Sequence, residues 1–208
     1  MPSWTTHSVD TAFKTAAENM AFDAHLAQTC RPQERWIRWY TWENTSVTFG
    51  HNQTLPEDLA TIDAAKRLTG GGLVFHFPGD LLFTYATDDQ DPHLPKSLAE
   101  KIGFFTERVQ SRLRTLGLET THPTPASPKN PHYCATYYSP YELAIGPDKV
   151  MGLTLRRLRK RLLVQGIIHS GCGDKNHFPS HYHPYITTGL SRRFPALQSL
   201  DPIKNCLI

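Results

Sequence analysis

Apolar residues recur along this chain at two spacings. Between residues 97 and 117, Leu98, Ile102, Phe105, Val109, Leu113 and Leu116 fall on one face of a helix, with Gly117 at its end. Residues 10–29 place Phe13, Ala17, Met20 and Ala24 at helical spacing, and Asp10 is the expected N-cap. Elsewhere the pattern alternates or forms short apolar runs, as strands do. RWIRWYTW and SVTFG (within 35–50), GGLVFHFPGDLLFTYA (71–86), YELAI (141–145) and RLLVQGIIH (161–169) are such segments, with KVMGLTLRR between the last two. Pro78-Gly79-Asp80 reads as a turn between two strands, and residues 121–133 as a proline-rich loop. From Ser170 onward the signals weaken. No repeat and no separating linker is visible, so the pattern predicts one α+β domain over residues 1–208.

Composition narrows the function classes. The 208 residues are 39% hydrophobic and 20% charged, which is a globular balance. A net charge of +3 is too small to argue for nucleic acid, although it suits a mildly acidic partner. No apolar run approaches the ~18 residues of a membrane span, and the N-terminal stretch lacks the apolar core of an export signal. Cys30, Cys134, Cys172 and Cys206 form no CxxC pair. Reduced thiols in a cytoplasmic protein are therefore the expectation.

Several residue groups could carry chemistry. Gly70, Gly71 and Gly72 enter a strand behind Arg67, and such a run either forms a tolerant bulge or lets something approach the main chain closely. It is no phosphate loop, because GxxxxGK(S/T) is absent and no GxGxxG opens a helix. Lys149 stands alone between two strands, either as a solvated lysine or as a cation held over an acyl carbonyl. Cys134 is either a buried thiol or a nucleophile, and the second needs a neighbouring cation or histidine such as Lys149, His76 or His132. RRLRKR (156–161) reads first as a solvated basic turn. His169, Cys172, His177, His181 and His183 are zinc-type ligands, but their spacing matches no standard finger or HExxH, and no metal site is assigned.

In order along the chain, four stretches resemble the biotin/lipoate protein ligase superfamily, in its lipoate ligase and octanoyltransferase branches. ENMAFD (18–23) is similar to the family's NMAxD, and RWYTWENTSVTFGHNQ (38–53) to RxYxWxPxxxSxGxxQ. KRLTGGGLVFHFPGDLLFTYA (66–86) resembles RRxTGGGxVxHxxxLxYS, and CATYYSPYELAIGPDKVMG (134–152) keeps the spacing of C-x4-S-x-YEL followed by K-x-x-G. The resemblance implies a ligase-type catalytic domain with mixed or antiparallel sheets flanked by helices. It also implies a medium-chain acyl group lying along Gly70–Gly72, with Arg67, His76 and Gly152 at the substrate.

By the same resemblance Lys149 binds the acyl carbonyl, and Cys134 marks the octanoyltransferase branch. There the cysteine takes an octanoyl or lipoyl group from acyl carrier protein, or from another lipoyl domain, as a thioester. It then passes the group to a lysine of a lipoyl domain, of glycine cleavage H protein or of a dehydrogenase E2 subunit. That route needs no cofactor, whereas a ligase would need ATP and magnesium. The stretch after Lys149 is short for the accessory domain that full ligases carry. Leu155 stands where the family has a polar residue, Gln165 where it has histidine, and Lys66 where it has arginine. An ATP-dependent ligase domain and a non-catalytic lipoyl-domain or acyl binder are the alternatives.

Overall fold

A computed structural model describes residues 3–13, 15–123, 132–134, 139–146, 148–171, 173–187, 203–204 and 206–207. The elements run β1 (Thr5–Asp10), α1 (Ala16–Thr29), β2 (Glu34–Thr41), β3 (Ser46–Phe49), β4 (Ala64–Lys66), β5 (Val74–His76), β6 (Leu81–Asp88), α2 (Leu98–Thr115), β7 (Leu143–Ile145), β8 (Asp148–Leu158) and β9 (Arg161–Ile168). A six-stranded mixed sheet has the order β1-β2-β6-β9-β8-β7, and a three-stranded sheet has the order β4-β3-β5. This is the expected α+β class. No helix among the described residues is long and apolar enough to cross a membrane.

Local chemistry sets the helix ends. α1 begins later than the periodicity predicts. Asp10 ends β1 opposite Trp39, and Phe13 precedes the helix. Thr15 is the cap instead: its hydroxyl accepts from the Glu18 amide at 3.2 Å, and the Glu18 carboxylate accepts from the Thr15 amide at 3.0 Å. Such a reciprocal box satisfies two amides that a lone Asp10 could not reach. Ser97 and Glu100 repeat the device at α2, and Gly117 follows that helix at a φ of +78°.

The predicted face of α2 divides in two. Phe105, Val109 and Leu113 are fully buried against Trp39, Phe83, Met151 and Val164 of the large sheet. Each such side chain contributes roughly 1.5–3 kcal/mol. Leu98 remains 41% exposed, and with Ile102 it faces a cavity rather than the core.

The turn at Pro78-Gly79-Asp80 does more than join neighbours. β5 pairs with β3 in the small sheet, whereas β6 pairs with β2 and β9 in the large one. The turn therefore carries the chain from one sheet to the other. Gly79 supplies a φ of +91°, and Asp80 holds the corner by accepting from the amides of Phe77 (3.0 Å) and Gly171 (2.8 Å).

Between the sheets lies a second apolar cluster of Met20, Tyr40, Trp42, Val74, Leu82 and Ile167, with Cys134 packed against it. The segment after Ser170, weak in sequence, folds as short 3-10 turns (Lys175–His177 and Ser180–Tyr185) whose Phe178 and Tyr182 cover Phe75 of the small sheet.

The basic stretch 156–161 proves largely structural. Arg156 donates to the Leu68 carbonyl at 2.7 Å, Arg157 pairs with Asp89 at 2.9 Å, and Arg161 donates to the Cys30 carbonyl at 2.6 Å. The histidines of 169–183 also have separate partners: His169 lies 3.8 Å from Asp80, His181 lies 3.0 Å from Asp58, and His183 contacts the Phe178 carbonyl. Among the described residues no group of three or more His, Cys, Asp or Glu is placed to hold a metal ion. Cys172 lies outside the described residues.

Candidate active site

The glycine run is built from behind. Arg67, almost fully buried, donates to the carbonyls of Gly70 (3.0 Å) and Gly72 (2.7 Å) and to the Thr48 hydroxyl (2.7 Å). Burial pushes its guanidinium down to about 10, with Cys134 acting in the opposite direction. The three glycines then serve different ends. A Cβ on Gly70 would meet nothing within 4 Å, Gly71 adopts a φ of +88°, and a Cβ on Gly72 would strike the backbone of His132 and Cys134. Gly50 has a similar role, since its Cβ would lie 2.2 Å from the Gly71 carbonyl. All three line the cavity, but only at Gly70 does the missing side chain leave open space. Gly71 answers a backbone conformation, and Gly72 answers a chain crossing.

That crossing places the sulfur. Residues 132–134 run parallel beside Leu73, whose amide donates to the His132 carbonyl (2.7 Å) while the Cys134 amide donates to the Leu73 carbonyl (3.0 Å). Gln53 also donates to the His132 carbonyl at 3.2 Å. The segment carrying Cys134 is therefore pinned to the glycine strand by main-chain bonds.

Lys149 approaches from the large sheet. It does not sit in a loop between strands but within β8, opposite Ala144 of β7, and it is 1% exposed. Its ammonium donates to the Cys134 carbonyl (2.9 Å), to Cys134 Sγ (3.3 Å) and, in direct contact, to Glu142 Oε1. Burial pulls the ammonium down, but the sulfur of Cys134 and the carboxylate of Glu142 outweigh it, and the net shift is upward. Burial pushes the Glu142 carboxyl up against the pull of Lys149 and of the Ser139 amide, which donates to Oε2 at 3.1 Å. Gly152 makes room for the lysine: a Cβ there would come 3.0 Å from Lys149 Cε.

These elements surround a cavity of about 540 Å³, within the usual span of small-molecule sites. Its wall includes Cys134, Arg67, Gly70, Gly71, Gly72, His76 and Gly152 of the predicted set, and Lys149 lies directly behind it, touching Cys134 and Glu142. The rest is mainly apolar, with Met20, Val74, Leu82, Leu153, Leu155 and Ile167. His76 stacks on Trp42 (4.1 Å between ring centroids) and touches the Thr48 hydroxyl at 2.8 Å. Burial, together with His169 and Arg67, drives its imidazole well below the ordinary 6.5, so it is neutral.

Sequence reasoning missed three contributors. Glu142 lay inside the quoted YEL stretch without a role. Thr48, the hub between Arg67 and His76, was one polar position in a strand and gave no signal. Gln165, noted only as a departure, is a buried connector. Its amide donates to Asp23 (2.7 Å), and its oxygen accepts from the Thr69 hydroxyl (2.6 Å). Asp23 in turn pairs with Arg38 at 2.7 Å and accepts from the Tyr40 hydroxyl at 3.2 Å. This network ties ENMAFD, RWYTW and the threonine before the glycines into one support.

Both the sequence and the fold have known relatives. An octanoyltransferase LipM from Exiguobacterium sp. is 28% identical over 193 residues, covering 84% of this chain and 69% of that protein. Octanoyltransferase LipM from Bacillus cereus is 26% identical, covering 73% of this chain and 60% of its own length. The chain thus spans about two thirds of these relatives. A crystal structure of lipoate-protein ligase A bound with ATP superposes with a TM-score of 0.71 at 20% identity, covering all of this chain and 83% of that one. A bi-partite lipoate protein ligase from Thermoplasma acidophilum gives 0.69 at 18% identity, with coverage of 100% and 81%, and so shares the fold. The model of the lipoyl protein ligase A/B catalytic domain matches residues 15–192. The chain belongs to that family.

Proposed function

We propose that the protein is an octanoyl or lipoyl acyltransferase working through a Cys134 acyl-enzyme. The observation that carries this reading is the 3.3 Å contact between Lys149 Nζ and Cys134 Sγ at the wall of an apolar cavity. A ligase that activates a free acid with nucleotide has no use for a sulfur at that place. The named activities of the octanoyltransferase relatives support the same reading.

The steps follow from the groups present. Cys134 Sγ, held 3.3 Å from the Lys149 ammonium, attacks as a thiolate the carbonyl carbon of a carrier-bound acyl thioester. Negative charge moves onto the carbonyl oxygen, where Lys149 stabilises it. The carrier's C–S bond breaks, and the carrier departs as a thiolate that takes up a proton. An acceptor lysine, deprotonated, attacks the new thioester. Its C–N bond forms, the Cys134 C–S bond breaks, and the amine's surplus proton is lost as the sulfur is restored. Thioester to amide is downhill, so no nucleotide is consumed. The apolar wall holds the chain, and burying the alkyl carbons of an octanoyl group at about 0.8 kcal/mol each gives roughly 5–6 kcal/mol.

The natural partners in this reading are acyl carrier protein or a loaded lipoyl domain as donor and a lipoyl domain as acceptor. Protein first loaded from an octanoyl thioester, freed of donor and then mixed with a lipoyl domain without nucleotide should octanoylate that domain. Transfer that requires ATP and free acid, and that persists in Cys134→Ala, would assign the ligase reaction instead.

A further inference from the structure

We propose that Glu142 sets the chemical class of substrate: it rejects free fatty carboxylates and leaves the site to uncharged acyl heads such as thioesters. The inference rests on the acyltransferase reading and adds a selectivity that the Cys134–Lys149 pair alone would not have. A buried ammonium beside an apolar cavity is, by itself, a natural receptor for a carboxylate tail. Here that valence is already taken. An ammonium has three N–H bonds, and Lys149 meets at least that many acceptors, among them the Cys134 carbonyl, Cys134 Sγ and Glu142 Oε1.

Glu142 is held on both sides, with Oε1 against Lys149 and Oε2 on the Ser139 amide, and its side chain is only 7% exposed. It lines the cavity together with Cys134, whereas Lys149 stands behind. Among the described residues, the other cation of the wall is Arg67, which is spent on Thr48 and the glycine carbonyls. An incoming carboxylate would therefore meet the Glu142 carboxylate at the wall, with no cation among these residues turned toward it. Like charges at close range in a low-dielectric wall repel strongly.

A thioester carbonyl brings no charge and needs one donor. The longest of the three named lysine contacts, to Sγ at 3.3 Å, is the one the reaction itself releases. As Sγ forms its bond to the acyl carbon, negative charge passes from sulfur to the carbonyl oxygen, and the N–H can follow it. Glu142 keeps its own bond throughout. The site is thus closed to an acid and open to its thioester.

Calorimetric titration with octanoate and with octanamide, its neutral counterpart, tests this in the wild type and in Glu142→Gln. Wild type should bind octanamide at least about tenfold more tightly than octanoate, a gap of about 1.4 kcal/mol. Glu142→Gln should shift that ratio at least about tenfold toward octanoate. Equal affinities in the wild type overturn the proposal even if the variant does not fold. A ratio unchanged in a folded Glu142→Gln overturns it too, as does failure of both ligands to bind. Intact mass after incubation with an octanoyl thioester separates the two claims. A Cys134 adduct with a flat ratio sinks this inference alone, and the predicted ratio without an adduct sinks the acyltransferase reading alone.

Discussion

A Cβ on Gly72 would lie 2.7 Å from the amide nitrogen of Cys134 and 2.6 Å from the carbonyl oxygen of His132. The glycine run and the sulfur are thus two sides of one backbone crossing. Gly72→Ala must push the 132–134 segment away, because neither neighbour is a flexible side-chain tip. Overpacking of this kind costs about 1–3 kcal/mol, or roughly 2–12 °C in a chain of this size. The larger loss should be in acylation, at least about tenfold, because the sulfur leaves its place against Lys149. Gly70→Ala meets open space and should leave the melting temperature nearly unchanged. Thermal melts and adduct time courses on the pair of variants check the contrast.

Lys149 and Glu142 should prove unequal in their effects. Lys149→Met leaves the Glu142 carboxyl buried without its cation, which typically costs about 3–5 kcal/mol. It also removes the donor to the developing oxyanion, a loss on the order of 10²–10³ in rate. A variant that melts like the wild type and acylates normally would show that the ammonium is a bystander.

Gln165→Leu should destabilise the fold, and it also alters the cavity wall that Gln165 helps line. It takes the Gln165 amide from the Asp23 carboxylate, which keeps Arg38 and Tyr40, and takes the buried Thr69 hydroxyl's acceptor away. Loss of a buried partner of this kind costs about 1–3 kcal/mol. Denaturant unfolding should show the loss, and Gln165→Glu should not restore it, since a second carboxylate would face Asp23.

His76 gives a pH dependence of defined sign. Its folded-state pKa lies well below 6.5, so the unfolded chain binds the proton more tightly than the folded one. The stability that depends on a neutral His76 is present above pH 6.5 and is lost as pH falls below that value. His76→Phe, which keeps a ring against Trp42, should flatten the acid side of a plot of melting temperature against pH. An unchanged slope would mean that other groups carry it.

Much of this was legible in the chain because long periodic segments fix their own structure. The face Phe105–Val109–Leu113 and the strand RLLVQGII were readable from spacing alone. The start of α1 was not, because Asp10 and Thr15 are both good caps and only the reciprocal bond with Glu18 decides between them. Cys134, Lys149 and the glycines were named as chemistry, but their convergence is a matter of sheet order. β5 and β8 belong to different sheets, and no periodicity says which face meets which. Glu142 was hidden for the same reason, since a glutamate immediately before β7 shows no sign of a buried lysine. Gln165 looked like a lost histidine until its two hydrogen bonds showed it to be structural support.

The central claim is that Cys134 carries the acyl group. Mass spectrometry of the intact protein after incubation with an octanoyl thioester, followed by peptide mapping, tests it most directly. One octanoyl group should appear, located on Cys134, and should be absent from Cys134→Ser. An unmodified protein under these conditions, or an acyl group found on Cys30, Cys206 or a lysine instead, would contradict it.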